Sequence, residues 1–129
     1  NGCAIGGDMS EESQYCFLVV EDDPLVAMSI EDALRAAGYE VFVNRSLETA
    51  ALEIECGAID AALLNAELID GPSSPLGSAL TRQRIPFAVM SDAGRASFLH
   101  AYPSICVLGK PVEAAQIEQT ARDLLQLRK

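Results

Sequence analysis

Alternation predicts an α/β domain on a mainly parallel five-stranded sheet. Short apolar runs, each ending in polar residues, recur along the 129 residues with helical patterns between them. The runs are apolar at nearly every position, as in strands covered on both faces. No internal repeat and no second domain are visible, and this length suits one sizeable core.

The elements follow in order. Residues 1–14 carry Gly, Ser and acidic residues without an apolar period and read as a flexible leader. Met9 is an alternative start, and residues 15–129 form the domain. Tyr15 to Val20 is the first strand. Val26, Ile30, Ala33, Leu34 and Ala37 then share one helical face, with Pro24 suited to the first turn and Gly38 to a left-handed stop. Glu40 to Asn44 is the second strand. Ser46 can cap a helix whose apolar face is Leu47, Ala51 and Ile54, ending near Gly57.

The third strand spans Ala61 to Leu64, and a Gly/Pro/Ser-rich loop follows from Ala66 to Pro75. Ser74-Pro75 starts a helix running to about Arg84, and Phe87 to Met90 is the fourth strand. A weakly patterned helix is expected around Ala96 to Ala101, with Pro103 as punctuation. Ile105 to Leu108 is the fifth strand, and Ile117, Ala121, Leu124 and Leu125 give the last helix its stripe.

Composition excludes several functions. A net charge of −10 and a pI near 4.3 argue against gripping nucleic-acid phosphates. No apolar run approaches the ~18 residues needed to cross a bilayer. The N-terminus lacks the basic and apolar regions of a signal peptide, so a cytoplasmic location is expected. Cys3, Cys16, Cys56 and Cys106 include no C-x-x-C pair and read as structural thiols, and lone His100 offers no zinc cluster.

The polar strand ends carry the chemistry. Glu21-Asp22-Asp23 closes the first strand, Asn65 the third and Ser91 the fourth, while Gly109-Lys110-Pro111 follows the fifth. Open parallel sheets bind ligands at these C-terminal ends. Two carboxylates ~4 Å apart repel by about 4 kcal/mol at an effective dielectric of 20. A hard divalent cation such as Mg²⁺ would relieve that repulsion, needing only one or two carboxylates plus water. The run also reads as a solvated acidic turn with Asp23 or Pro24 starting the helix.

Together, Glu21-Asp22, Asn65, Ser91 and Lys110-Pro111 resemble the receiver domains of bacterial two-component response regulators, over residues 15–127. The resemblance implies a flavodoxin-like (βα)5 domain, strand order 2-1-3-4-5, with helices on both faces. It makes Asp22 a direct Mg²⁺ ligand, with Glu21 acting through water and the backbone carbonyl of Glu67 adding another. Asp23 would lie outside the pocket, and Ser91 and Lys110 would contact a phosphoryl group. Position 65 would be the phosphoacceptor, an aspartate in the family.

Three departures qualify that picture. The Asn65 amide cannot form an acyl phosphate, because its oxygen is neutral and its nitrogen delocalised. Asp92 stands where the family has a small residue, and its charge would repel a phosphodonor. Val107 occupies the aromatic switch position and lacks the ring that would turn inward.

The expectation is therefore an atypical, non-enzymatic receiver in a phosphorelay, with weak Mg²⁺ binding at most. It would act through a partner protein (a histidine kinase, phosphotransfer protein or effector) on the face near residues 93–125, with homodimerisation left open. The alternatives are a conventional phosphoaccepting receiver, seen as an Asp-to-Asn variant or using another nucleophile, and a small nucleotide- or flavin-binding enzyme.

Overall fold

In a computed structural model, residues 15–91, 106–110 and 112–127 are described. Five strands form one parallel sheet: β1 (Cys16–Val20), β2 (Glu40–Asn44), β3 (Ala61–Asn65), β6 (Phe87–Ser91) and β7 (Cys106–Gly109). Their spatial order is β2-β1-β3-β6-β7, the expected 2-1-3-4-5 once the sheet strands alone are numbered. The helices are α1 (Pro24–Ala36), α2 (Leu47–Cys56), α3 (Ser74–Arg82) and α4 (Ala114–Leu127). The expected leader, the helix around residues 96–101, and Cys3, Asp92, His100, Pro103 and Pro111 lie outside the described residues.

Side-chain alternation along the strands divides the core in two. Leu18, Val20, Ala62, Leu64 and Val89 pack with Ala50, Ile54, Leu76 and Leu80 of α2 and α3. Phe17, Val19, Leu63, Ala88 and Met90 face Ile30, Leu34, Ile117, Ala121 and Leu124 of α1 and α4. Both faces of the sheet are thus covered, which explains the near-continuous apolar strands.

Local chemistry sets the helix ends. Asp23 caps α1 by accepting hydrogen bonds from the Leu25 and Val26 amides, with Pro24 in the first turn. Ser46 caps α2 through the Thr49 amide, and Gly57 ends it at φ 78°.

The structure corrects several details. Ala50 rather than Ala51 is the fully buried alanine of α2; Ala51 and Leu47 pack at the margin. Helix α3 stops at Arg82 instead of Arg84, because Arg84 turns to φ 61° and ends the helical path. The expected loop at 66–75 contains a small antiparallel hairpin, β4 (Glu67–Leu68) and β5 (Gly71–Pro72). Leu68 is buried in the core and holds the hairpin to the body of the domain.

Candidate functional site

The parallel register brings the polar strand ends together. Val20 lies beside Leu64, so Glu21 leaves β1 next to the end of β3. Asn65 lies opposite Met90, and Ser91 opposite Gly109. The Lys110 amide donates to the Ser91 carbonyl at 3.1 Å, continuing the β6–β7 ladder to the pocket edge.

At the centre, Asn65 is 7% exposed and Glu21 only 1%. The Asn65 amide nitrogen donates to Glu21 Oε2 at 3.1 Å and to Asp22 Oδ1 at 3.4 Å. Its two N–H groups thus face two carboxylates. The opposite orientation would turn a carbonyl oxygen toward both anions, so electrostatics favours the one observed. Lys110 Nζ approaches Glu21 Oε1 at 3.2 Å, with its side chain largely buried.

Glu21 Oε2 also accepts from the Asp23 amide at 3.1 Å. Glu21 Oε1 has no aligned hydrogen bond among the described residues; the Lys110 ammonium is close but off line. Burial pushes the Glu21 carboxyl above its usual range, against the Asp23 amide, the Lys110 charge and its contact, which all pull it down. The Asp22 charge adds a smaller upward push.

Asp22 is half-buried and divided between two neighbours. Its Oδ2 accepts from the Ile69 amide at 2.6 Å, while Oδ1 takes the longer contact from Asn65. Ser73, fully buried, donates its hydroxyl to the Asn65 carbonyl at 2.7 Å and to that of Ala66 at 3.2 Å. Sequence reasoning missed Ser73 and Ile69. One is a serine inside an apparent loop, and the other acts through its backbone.

Glu21, Asp22, Asn65 and Lys110 lie within contact of one another, Ser91 adjoins Lys110 through its backbone carbonyl, and Glu67 opens the hairpin whose tip reaches Asp22. Asp23 is the helix cap. Val107 sits in β7 opposite Val89, partly exposed, with no ring to swing.

The donor set can be tested against Mg²⁺. Among the described residues, no group of three or more His, Cys, Asp or Glu side chains converges on one point. Two carboxylates do suffice for a cation that keeps several waters. Glu21 Oε1 lacks an aligned donor and Asp22 Oδ1 is only loosely held, so the hard oxygens fit. Competing for the same oxygens are the Asn65 N–H groups and the Lys110 ammonium.

The chain matches no protein-family model and no curated protein. Among solved structures, it is similar to SdrG from Sphingomonas melonis Fr1, at TM-score 0.76 and 31% identity, covering 91% of this chain and 99% of that one. A response regulator receiver protein from Sinorhizobium medicae WSM419 superposes at TM-score 0.82 and 22% identity, covering 93% and 100%. The receiver domain of the response regulator PhyR from Erythrobacter litoralis gives TM-score 0.80 at 18% identity, covering 93% and 96%. At those lower identities the likeness speaks to the fold.

Proposed function

Because the chain has the fold of response-regulator receiver domains, we propose that it is a receiver-like signalling module that takes no phosphoryl group at position 65. The reading rests on one observation above the others: the side chain at the end of β3 is an amide donating to Glu21 and Asp22. An amide donor in that place cannot act as the attacking oxygen of a phosphoryl transfer. Glu21, Asp22 and Lys110 still form a charged pocket, but its charges are compensated from within.

In this reading the module is no enzyme and resides in the cytoplasm; no described helix is long and apolar enough to cross a membrane. It binds Mg²⁺ weakly through Glu21, Asp22 and the Glu67 carbonyl, the cation supplying charge neutralisation. Asn65 contributes to that weakness, because its N–H groups must release the carboxylates before a cation enters.

Signalling passes to a partner protein on the face near residues 93–125. Within that range, Lys110 and Val112, between β7 and α4, line a groove of about 500 Å³ whose other wall is α1. Leu25 lines that groove and is 74% exposed, and Met28, 54% exposed, lies beside it on α1. Asp92 and Val107 remove repulsion-free access for a donor and the aromatic switch, so a single working conformation is the consistent outcome.

The test is mass spectrometry after incubation with acetyl phosphate and Mg²⁺. The natural chain should gain no phosphoryl group. A stoichiometric gain that disappears in hydroxylamine would return the chain to the phosphoaccepting receivers.

A further inference from the structure

We propose that the β4–β5 hairpin positions Asp22 for cation binding, with Ile69 and Asp70 as positioning residues. The inference rests on the reading of the pocket as a weak Mg²⁺ site. Asp22 is free to rotate about its side-chain bonds unless something holds one oxygen. The Ile69 amide does so, donating to Oδ2 at 2.6 Å, and this leaves Oδ1 turned toward Asn65. The Ile69 side chain is 87% exposed, so its part in this arrangement is played by the backbone.

The hairpin tip is itself held from the other side. Asp70 Oδ2 accepts from the Leu47 amide at 3.1 Å, at the first residue of α2. The positive end of the α2 dipole favours that carboxylate. Leu68 is buried and Gly71 takes φ 135°, a turn conformation that a side chain would strain. The tip therefore spans two loops, linking the ligand Asp22 to the start of α2.

Partners that orient a metal ligand affect affinity without touching the metal, typically by 10–100-fold. Coupling of this kind is reciprocal: a cation that fixes Asp22 must also steady the Ile69 hydrogen bond.

The experiment is a Mg²⁺ titration of the full chain followed by amide spectra, with hydrogen exchange read at Ile69. Asp70→Ala should weaken Mg²⁺ about ten-fold and accelerate Ile69 exchange in the metal-free protein. Asp70→Asn keeps an acceptor oxygen for the Leu47 amide and should retain most of the affinity. In the natural chain, Mg²⁺ should slow exchange at Ile69. Unchanged affinity in Asp70→Ala overturns the proposal, and so does an equal loss in both variants, which would assign the effect to charge. Separately from any metal, Asp22→Ala should also accelerate Ile69 exchange, and an unchanged rate overturns the clamp even if Mg²⁺ binds. Absence of saturable Mg²⁺ binding in both the natural chain and Asn65→Asp would overturn the cation-site reading and the inference with it.

Discussion

The two ends of the sheet hold carboxylates under opposite conditions. At the N-terminal end, Asp60 accepts the Cys16 amide at 2.8 Å through Oδ2, tying β1 to the start of β3. Nearby, Arg35 reaches the Val41 carbonyl at 3.1 Å and pairs with Glu31 at 2.9 Å. These side chains bond to backbone groups at the sheet's edge and keep contact with water. At the C-terminal end, Glu21 is sealed from water beside a second carboxylate and leans on an amide and an ammonium. The first arrangement serves stability. The second opposes it, as buried ion pairs commonly do, and lies at the end of the sheet where the proposed site sits.

Substituting at the costly end should have the largest effect. Asn65→Asp would replace two donated hydrogen bonds with a third carboxylate facing Glu21 and Asp22. Breaking buried charge compensation typically costs about 3–5 kcal/mol, so urea unfolding without metal should show a loss of that order. Mg²⁺ should restore much of it, and should bind more tightly than to the natural chain. Equal stability with and without metal would show that position 65 does not face the acid pair, and the contrast between the two ends would collapse.

At the supportive end, Asp60→Ala should destabilise by about 1–2 kcal/mol by removing the carboxylate that accepts from the Cys16 amide. That loss should be indifferent to Mg²⁺. A metal-dependent loss would mean that the two ends communicate, contrary to the division drawn above.

The finest discrimination is by pH. Burial raises the Glu21 carboxyl above the ordinary carboxylate value of 4.5, so the folded chain holds this proton more tightly than the unfolded chain. Its contribution is fully present below the unfolded value and is lost as pH rises through the folded one. Glu21→Gln stays neutral throughout. Its stability relative to the natural chain should therefore climb as pH rises from below 4.5 toward neutrality, read as the difference in urea midpoint. A difference independent of pH would mean that desolvation does not dominate at Glu21.

Much of this arrangement was legible in the chain because each sheet strand is a short apolar run with an identifiable stop. Pro24, Ser46 and Gly57 act locally, so their positions carried over directly to the helix ends. The convergence of Glu21, Asn65, Ser91 and Lys110 followed from parallel topology, which places every strand's C-terminal end on one side. The hairpin was not legible. Its strands have two residues each, too short for any period, and its anchors are the distant Asp22, Leu47 and core residues around Leu68. Nor did spacing separate Ala50 from Ala51, since both lie near the inward side of α2 and packing alone decides between them. The direction of the Asn65 amide was equally hidden: it depends on which neighbours carry charge in three dimensions.

The backbone around position 65 is fixed by contacts that ignore the side chain. Ser73 holds the Asn65 carbonyl, the Ala66 amide donates to Met90 at 2.8 Å, and the Ser73 amide returns to Ala66 at 2.9 Å. An exchange between asparagine and aspartate would therefore leave the backbone frame in register, and its cost would fall on the charge balance with Glu21 and Asp22. The codons for those two residues differ by one base. On the proposed reading, position 65 is where a single base change would exchange the amide for a carboxylate while the backbone frame stays in place.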